Sequence, residues 1–407
     1  MRSIARTRRR RVSQSCRDDR LTAGEGKVRA IGRLLRWLGT GLLFLAIALC
    51  FAPTLVPPFL DRVYYRGAPS DHFDGARFFN PDADASSPMR PARFLNRMSR
   101  SERAQWPDQV AVHPTIPPRR VHGADMRVTW IGHATVLVQA EGLNILTDPI
   151  WSDRASPFSF VGPRRVRAPG IRFEDLPKID LVVVSHNHYD HMDLPTLRRL
   201  WQRDRPLIVT SLGNDTILAR AGIEAAAFDW GRGTHLPCDD PFEGVPPEQR
   251  TQFRAPYHPC GIVVERNHHW GSRWGTDRNR ALWSAFTIRL HRGNVFFAGD
   301  TGWGDGAWAR AAARHGPFRL AIIPIGAYEP REVMQNSHVN PNEAFRIFET
   351  LNPARAIGVH WGTFQLSFEP IDAPPRAIAA LARVHDLAPD RFITTEVGQG
   401  FSVPAAR

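Results

Sequence analysis

The stretch from Ser185 to His191 reads SHNHYDH and follows directly on the apolar run LVVV. Four contiguous apolar, mostly β-branched residues suit a short strand buried on both faces. The imidazoles and the carboxylate at its end then fall where layered α/β folds present their ligands, at the carboxyl ends of strands. His186 and His188, two apart on extended backbone, point to the same side and can grip one cation. Asp190 and His191 lie where the chain turns toward a helix and can face a second cation. With 16 histidines in 407 residues, such a cluster arises by chance in roughly one chain in a thousand of this length. Imidazole with carboxylate suits zinc or a similar borderline metal. A purely structural zinc site usually closes with cysteines, and none lies nearby.

From Met126 onward, runs such as RVTWI, TVLVQ, LNILT, LIVTS, GIVVE, FTIRL, NVFFAGD, LAIIPI, AIGVH and FITTE alternate with helix-like stretches. Those stretches fall at about 193–203, 214–221, 305–315, 341–350 and 374–386. The first strands follow one another through short turns, which suits hairpins. Later ones alternate with helices, which suits sheets covered by helices. The segment 234–260 is rich in proline and reads as a long loop. No repeat with a period of 20–50 residues is present.

Before Met126 the character differs. The chain carries a formal charge of +13, but residues 1–36 account for +9 of it, leaving +4 for the other 371 residues. The body is therefore close to balanced, and nucleic acid is not the expected partner. Trp37 to Val56 then run for 20 residues without a charge, enough as a helix to span a bilayer core of ~30 Å. Basic residues crowd its N-terminal side, which the positive-inside rule keeps in the cytoplasm. The expected organisation is a basic cytoplasmic tail at 1–36, a transmembrane anchor at 37–56, a stalk and irregular wrap at 57–125, and a catalytic domain at 126–407 on the extracytoplasmic side, the periplasm in a Gram-negative cell. A cleaved signal peptide, a lipid attachment at Cys50 and a buried core helix are the competing readings. No clean A-x-A site follows the segment, Leu49 is bulky for a residue before a lipidated cysteine, and Pro53, Pro57 and Pro58 disfavour a core helix.

Eight segments carry a family resemblance: WIGHATVLVQ (130–139), LTDPIWSDRASP (146–157), SHNHYDH (185–191), HWGSRWGTDRNRALW (269–283), FFAGDTGW (296–303), PIGAYEPREVM (324–334), SHVNPNEAF (337–345) and HWGTF (360–364). Their order resembles the metallo-β-lactamase fold. More narrowly, Met126 to about Pro370 resembles the branch that contains N-acyl-phosphatidylethanolamine-hydrolysing phospholipase D. The resemblance implies an α/β fold, an αββα sandwich, here behind an N-terminal transmembrane helix. It also implies two zinc ions, with His186, His188 and His269 holding one, Asp190, His191 and His360 the other, and Asp300 bridging both. His258 and His268 lie in the same stretch as His269, and Arg266-Asn267 stand where the family has Pro-Ala. The strand GIVVE before it and Trp270 after it put His269 in register, with His258 the alternative.

Asp190, Asp148 and His338 are the expected catalytic side chains. Asp148, in LTDP, would orient a metal-binding imidazole, and His338, in NSHVNP, would face the reacting phosphate. His133 is expected to make a structural hydrogen bond. Trp151, Phe158, Phe160, Tyr328 and Trp303 are candidate substrate contacts, flanking the ligand-bearing strand ends. The reaction implied is metal-assisted hydrolysis of a phosphodiester in a membrane phospholipid, releasing an N-acylethanolamine and leaving phosphatidic acid. A lactonase or a nuclease of the same fold is the alternative, and a homodimer is left open. Cys238 and Cys260 flank the proline-rich insert, and a disulfide between them suits an oxidising compartment.

Overall fold

The computed structural model describes residues 31–50, 62–82, 103–240 and 259–404. The chain divides into two units, Met1–Arg62 and Val63–Arg407. His258, Cys16 and residues 51–56 lie outside the described residues. In the first unit a helix, α1, covers Ile31–Cys50, the one described helix long and apolar enough to cross a membrane by length and composition. It includes Arg33 and Arg36, so it starts earlier than Trp37, where the charge-free run begins. Arginine is a good helix former. The loss of charge marks an apolar stretch, not a helix start.

The second unit is built on two seven-stranded mixed sheets. Its strands are β1 (Met126–Gly132), β2 (Thr135–Ala140), β3 (Leu143–Thr147), β4 (Leu181–Val184), β5 (Leu207–Ser211), β6 (Ala226–Phe228), β7 (Gly233–His235), β8 (Gly261–Glu265), β9 (Ala285–Arg289), β10 (Asn294–Phe297), β11 (Phe318–Pro324), β12 (Arg355–Val359), β13 (Phe392–Ile393) and β14 (Gly400–Ser402). One sheet runs β14-β1-β2-β3-β4-β5-β6, the other β13-β12-β11-β10-β9-β8-β7. In each, consecutive antiparallel strands give way to parallel ones, at β3–β4 in the first and at β10–β11 in the second. Parallel neighbours need crossovers and antiparallel ones only a turn. The hairpins therefore come first within each half and the helices later.

Residue alternation explains the layering. Val136, Val138, Ile145, Leu181, Val183 and Val209 join a core that also contains Ile262, Val264, Phe286 and Ile288 of the other sheet. Their neighbours Leu137, Leu146, Val182, Val184 and Ile208 point the other way, against Leu197 and Leu200 of α2 (Leu194–Asp204) and Ile217 and Leu218 of α3 (Asn214–Arg220). Successive side chains on a strand face opposite sides, so apolar runs such as LVVV must be covered twice. Each fully buried aliphatic side chain contributes about 1.5–3 kcal/mol. Helices α4 (Ala307–Ala313), α6 (Pro341–Leu351) and α7 (Ala373–Val384) contribute Trp308, Ile347, Phe348 and Ile378 to the core around the second sheet, and a single turn, α5, spans Arg331–Met334.

Residues 62–82 and 103–125 contain no helix or regular strand, yet they pack on the second unit from Val63 onward. Tyr64 donates to Asp277, Trp106 to the carbonyl of Glu369 and Thr115 to that of Gly398. Phe73 and Phe78 are buried with Trp283. The wrap is thus part of that unit's packing, while residues 1–56 lie wholly in the other. Removing 1–56 is expected to leave a soluble protein that hydrolyses a water-soluble phosphodiester at close to the full-length rate and lipid in vesicles more slowly. As an anchor, α1 would act through local concentration, so equal losses on both substrates would refute that expectation.

Candidate metal centre

The expected ligands, and the orienting Asp148, sit at strand ends along one edge of the two sheets. Asp148 follows β3, His186 to His191 follow β4, Asp300 follows β10, His360 follows β12, and His269 comes four residues after β8. Gly299, at φ +59°, lets Asp300 approach: a Cβ there would lie 2.7 Å from the Cβ of Ser185. His133, Asp148 and His360 also adopt positive φ, at 53°, 33° and 62°. Left-handed backbone in non-glycine residues costs of order 1–3 kcal/mol each and clusters at functional sites.

His186, His188 and His269 bring one nitrogen each within 4.8 Å of one another, and His133, Asp190, His191 and His360 form a second such group. His186 Nε2 lies 2.8 Å from His188 Nδ1, which is 3.4 Å from His269 Nε2. Asp300 stands between the groups. Its Oδ2 is 3.1 Å from both His191 and His360, 3.8 Å from His338 and 4.0 Å from His269. Asp190 Oδ2 lies 2.9 Å from His133, 3.2 Å from His191 and 3.5 Å from His360.

A surrounding layer aims these rings. Asp148 Oδ2 accepts from His191 Nδ1 at 2.6 Å and from the Ser185 hydroxyl at 2.5 Å, while its Oδ1 accepts from the Ser185 amide at 2.7 Å. His269 Nδ1 donates to the carbonyl of Ser337 at 2.9 Å, which turns Nε2 toward the cluster. His268 instead directs Nδ1 to the carbonyl of Asn336. Asn267 donates its side-chain amide to the carbonyls of Ala298 and Asp300. The departure from Pro-Ala is therefore a clamp that ties the histidine loop to the Asp300 loop. His338 is set by the helix beside it: Asn340 and Glu343 form a reciprocal capping box at the start of α6, and Arg331 donates both to the His338 carbonyl and to Glu343. That pairing satisfies donors a helix start otherwise leaves open.

Burial and charge act together here. Burial, with repulsion from neighbouring imidazoles, holds His186 and His269 well below the ordinary range, and burial takes His188 to about 4. Neutral imidazoles keep the lone pairs that metal binding requires. Burial also acts downward on His191 and His360, but Asp300 and Asp190 overcome it, raising His360 to about 9 and holding His191 well above the ordinary imidazole range. The same attraction, led by His191, overcomes the opposing effect of burial and holds Asp190 and Asp300 far below the usual carboxylate range. Burial and the His360 imidazole take His133 down to about 3 despite Asp190, and burial takes His338 to about 4.

The donor set fits a divalent cation. His188 Nε2 and Asp300 Oδ1 are buried without a hydrogen-bond partner. A neutral imidazole has only one N–H to offer, so His186 and His188, both held neutral and converging at 2.8 Å beside His269, present lone pairs that suit a cation. Nitrogen and oxygen donors without sulfur suit zinc and its neighbours.

The candidate substrate contacts separate. Phe158 and Phe160, 49% and 78% exposed, form with Val161 the tip of a loop whose base pairs at Arg165 with Phe364, four residues after His360. Tyr328 is half-buried, and burial pushes its phenol to about 12. Trp151 packs on Phe173 in the outer core and donates to the Ile171 carbonyl. Trp303 packs against the main core, and Trp308 is fully buried there. All three tryptophans thus take part in core packing. His133 is more than a lone structural hydrogen bond, since its ring lies 4.1 Å from His360 and its Nε2 meets Asp190. Trp270, not expected as a contact, meets the His188 ring edge-on at 4.2 Å. Its place next to His269 in sequence was the available signal.

The family described as the beta-lactamase superfamily domain matches residues 143–361. Among solved structures, isothiocyanate hydrolase from Delia radicum gut bacteria superposes with a TM-score of 0.51 at 17% identity, over 69% of this chain and 100% of that one. The chain belongs to the β-lactamase superfamily and is a metal-dependent hydrolase. Within it, the chain is 33% identical over 310 residues to N-acyl-phosphatidylethanolamine-hydrolyzing phospholipase D 1 of Caenorhabditis elegans, covering 72% of this chain and 82% of that protein. The mitochondrial N-acyl-phosphatidylethanolamine-hydrolyzing phospholipase D of Saccharomyces cerevisiae is 32% identical over 275 residues, covering 67% of this chain and 54% of that protein.

Proposed function

We propose that this protein is a dinuclear zinc phosphodiesterase of the phospholipase D type. Its substrate is an N-acyl phosphatidylethanolamine-like lipid, its products an N-acylethanolamine and phosphatidic acid. The observation that carries the reading is the double cluster: two groups of histidines sharing Asp300 between them, in a chain similar to relatives named for that hydrolysis. His186, His188 and His269 would hold one ion, and Asp190, His191 and His360 the other, with Asp300 facing both. The chemistry such a pair of ions supplies is Lewis-acid polarisation of water and of phosphoryl oxygens.

The chain's own residues do the rest. Asp148 fixes the tautomer of His191 through Nδ1, so Nε2 alone faces the centre. Asp190 accepts from His133 and is held as a carboxylate. His338, neutral and facing Asp300 across 3.8 Å, is placed to donate its single N–H to a phosphate oxygen. Phe158, Phe160 and Val161 offer an exposed apolar edge rooted beside HWGTF, where an acyl chain leaving a bilayer finds cover at ~0.8 kcal/mol per CH₂. In this reading α1 is an uncleaved anchor with the arginine-rich tail on the cytoplasmic side. The Cys238–Cys260 disulfide agrees with an oxidising compartment beyond the membrane.

Zinc-loaded enzyme is tested on N-acyl phosphatidylethanolamine, phosphatidylethanolamine, bis-p-nitrophenyl phosphate, a lactone and an RNA. The N-acylated lipid is expected to be the best substrate, and preference for the lactone or RNA would refute the reading. Phe158→Asp should reduce hydrolysis of the long-chain lipid at least tenfold more than hydrolysis of the soluble diester, because losing burial of two methylenes already exceeds 1.4 kcal/mol on the scale of ~0.8 kcal/mol each. Equal effects on both would remove the loop from the lipid path.

A further inference from the structure

A second concentration of metal-ligating side chains lies at the opposite ends of the strands that carry the main cluster. Asp148 follows β3, but Glu141 precedes it. His269 follows β8, but Cys260 precedes it. Asp300 follows β10, but His291 precedes it. A strand of five residues separates the two edges by roughly 15 Å. Cys238 and Cys260 are joined as a disulfide with their Cα atoms 6.2 Å apart. His291 Nδ1 lies 3.0 Å from Glu141 Oε2 and 3.5 Å from Cys238 Sγ, and Cys260 Sγ lies 3.9 Å from Glu141 Oε2. Donor atoms of all four residues fall within 4.8 Å of one another.

Glu141 is the informative member. It occupies the β2–β3 turn at φ +48°, next to Gly142 at φ +75°, a position that asparagine, aspartate or glycine fill more easily. It is nevertheless only 3% exposed. The amides of His291 and Arg292 pin its two oxygens at 2.9 Å each, aiming a buried carboxylate from the first sheet at a histidine and two sulfurs in the second. Two sulfurs, an imidazole and a carboxylate make four donors of the kind that closes a tetrahedral zinc site.

We propose that Cys238, Cys260, His291 and Glu141 form a redox-gated binding site for a zinc-class divalent cation, separate from the catalytic cluster. In the oxidised protein the two sulfurs are bonded to each other and cannot serve as thiolates. A phosphine reductant breaks the S–S bond, leaving two thiols, while the phosphine takes the oxygen of one water as its oxide and the water's two protons go to the sulfurs. Cation binding then releases those two protons to solvent and leaves two thiolate ligands. The disulfide ties together only the two ends of the segment 239–259. The cation ties them also to the β2–β3 turn, and so fastens one sheet to the other.

The test uses the full chain in detergent with Cys16 and Cys50 replaced by serine, reduced with a phosphine, freed of excess reductant without air and titrated with cobalt(II). Thiolate-to-cobalt charge transfer in the near ultraviolet reads this site alone, because the main cluster contains no sulfur. The band is expected to saturate near one cobalt per chain in reduced protein and to be absent from oxidised protein. Cys238→Ser and Cys260→Ser should each diminish it, and His291→Ala should weaken the cobalt affinity at least about tenfold. His188→Ala, in the main cluster, should leave it in place. Reduced protein without the band, or a band indifferent to both the Cys238 and His291 changes, overturns the proposal. Near-native circular dichroism of each variant before titration separates lost ligation from lost folding.

Discussion

Asp300→Asn is expected to empty both halves of the main cluster together. Elemental analysis should find bound divalent metal falling from close to two ions per chain toward none, with kcat/KM on any substrate down by about two to three orders of magnitude. The substitution keeps the shape and removes one charge. That charge lies within 3.1 Å of His191 and His360 and within 4.0 Å of His338 and His269. It is the leading attraction that keeps His191 and His360 above the ordinary imidazole range against burial. Breaking a buried charge pair from one side costs about 3–5 kcal/mol, and each 1.36 kcal/mol is tenfold in rate or affinity. Loss of a single ion, with the other retained at full affinity, would mean that Asp300 does not serve both groups.

His269→Ala should be nearly as damaging, with hydrolysis reduced by at least about a hundredfold, the scale of losing a well-placed electrostatic partner at a reacting centre. His258→Ala should retain most of the activity. The geometry behind this is one-sided: the Ser337 carbonyl takes the Nδ1 proton of His269 at 2.9 Å and leaves Nε2 3.4 Å from His188. His268, one residue earlier, is turned to Asn336 instead. An active His269→Ala enzyme beside an inactive His258→Ala enzyme would place the third histidine on the other side of the strand GIVVE.

Much of the fold was legible because its signals are local. The runs TVLVQ, LNILT, LVVV and LIVTS became β2 to β5, and the stretches at 193–203, 214–221 and 341–350 became α2, α3 and α6 within a residue or so. Such runs alternate between the two cores at period two, a property any short window contains. The strands that went unnoticed, β6, β7 and β14, have three residues each and hold their place through neighbours in the sheet. Nothing in AAF or GTH distinguishes them from loop. The earlier start of α1 was missed for a related reason, since helix formation tolerates arginine where hydropathy does not.

The sequence by itself determined that SHNHYDH stands at a strand end with imidazoles and a carboxylate facing a common space, because extended backbone and the turn after it set those directions within seven residues. It also determined that Asp148, Asp300 and His360 stand at the ends of strands. Only the tertiary structure decided which histidine near residue 269 points inward, since the carbonyl that orients it comes from Ser337, 68 residues away. Only the structure brought His133 onto Asp190, used Asn267 to clamp the Asp300 loop, withdrew Trp151 into the outer core, and set Glu141 beside His291 and the two cysteines at the far edge. Strand direction is written in near neighbours. Convergence across two sheets depends on which strands pair and how the sheets stack, and those are settled by burying the whole apolar core at once.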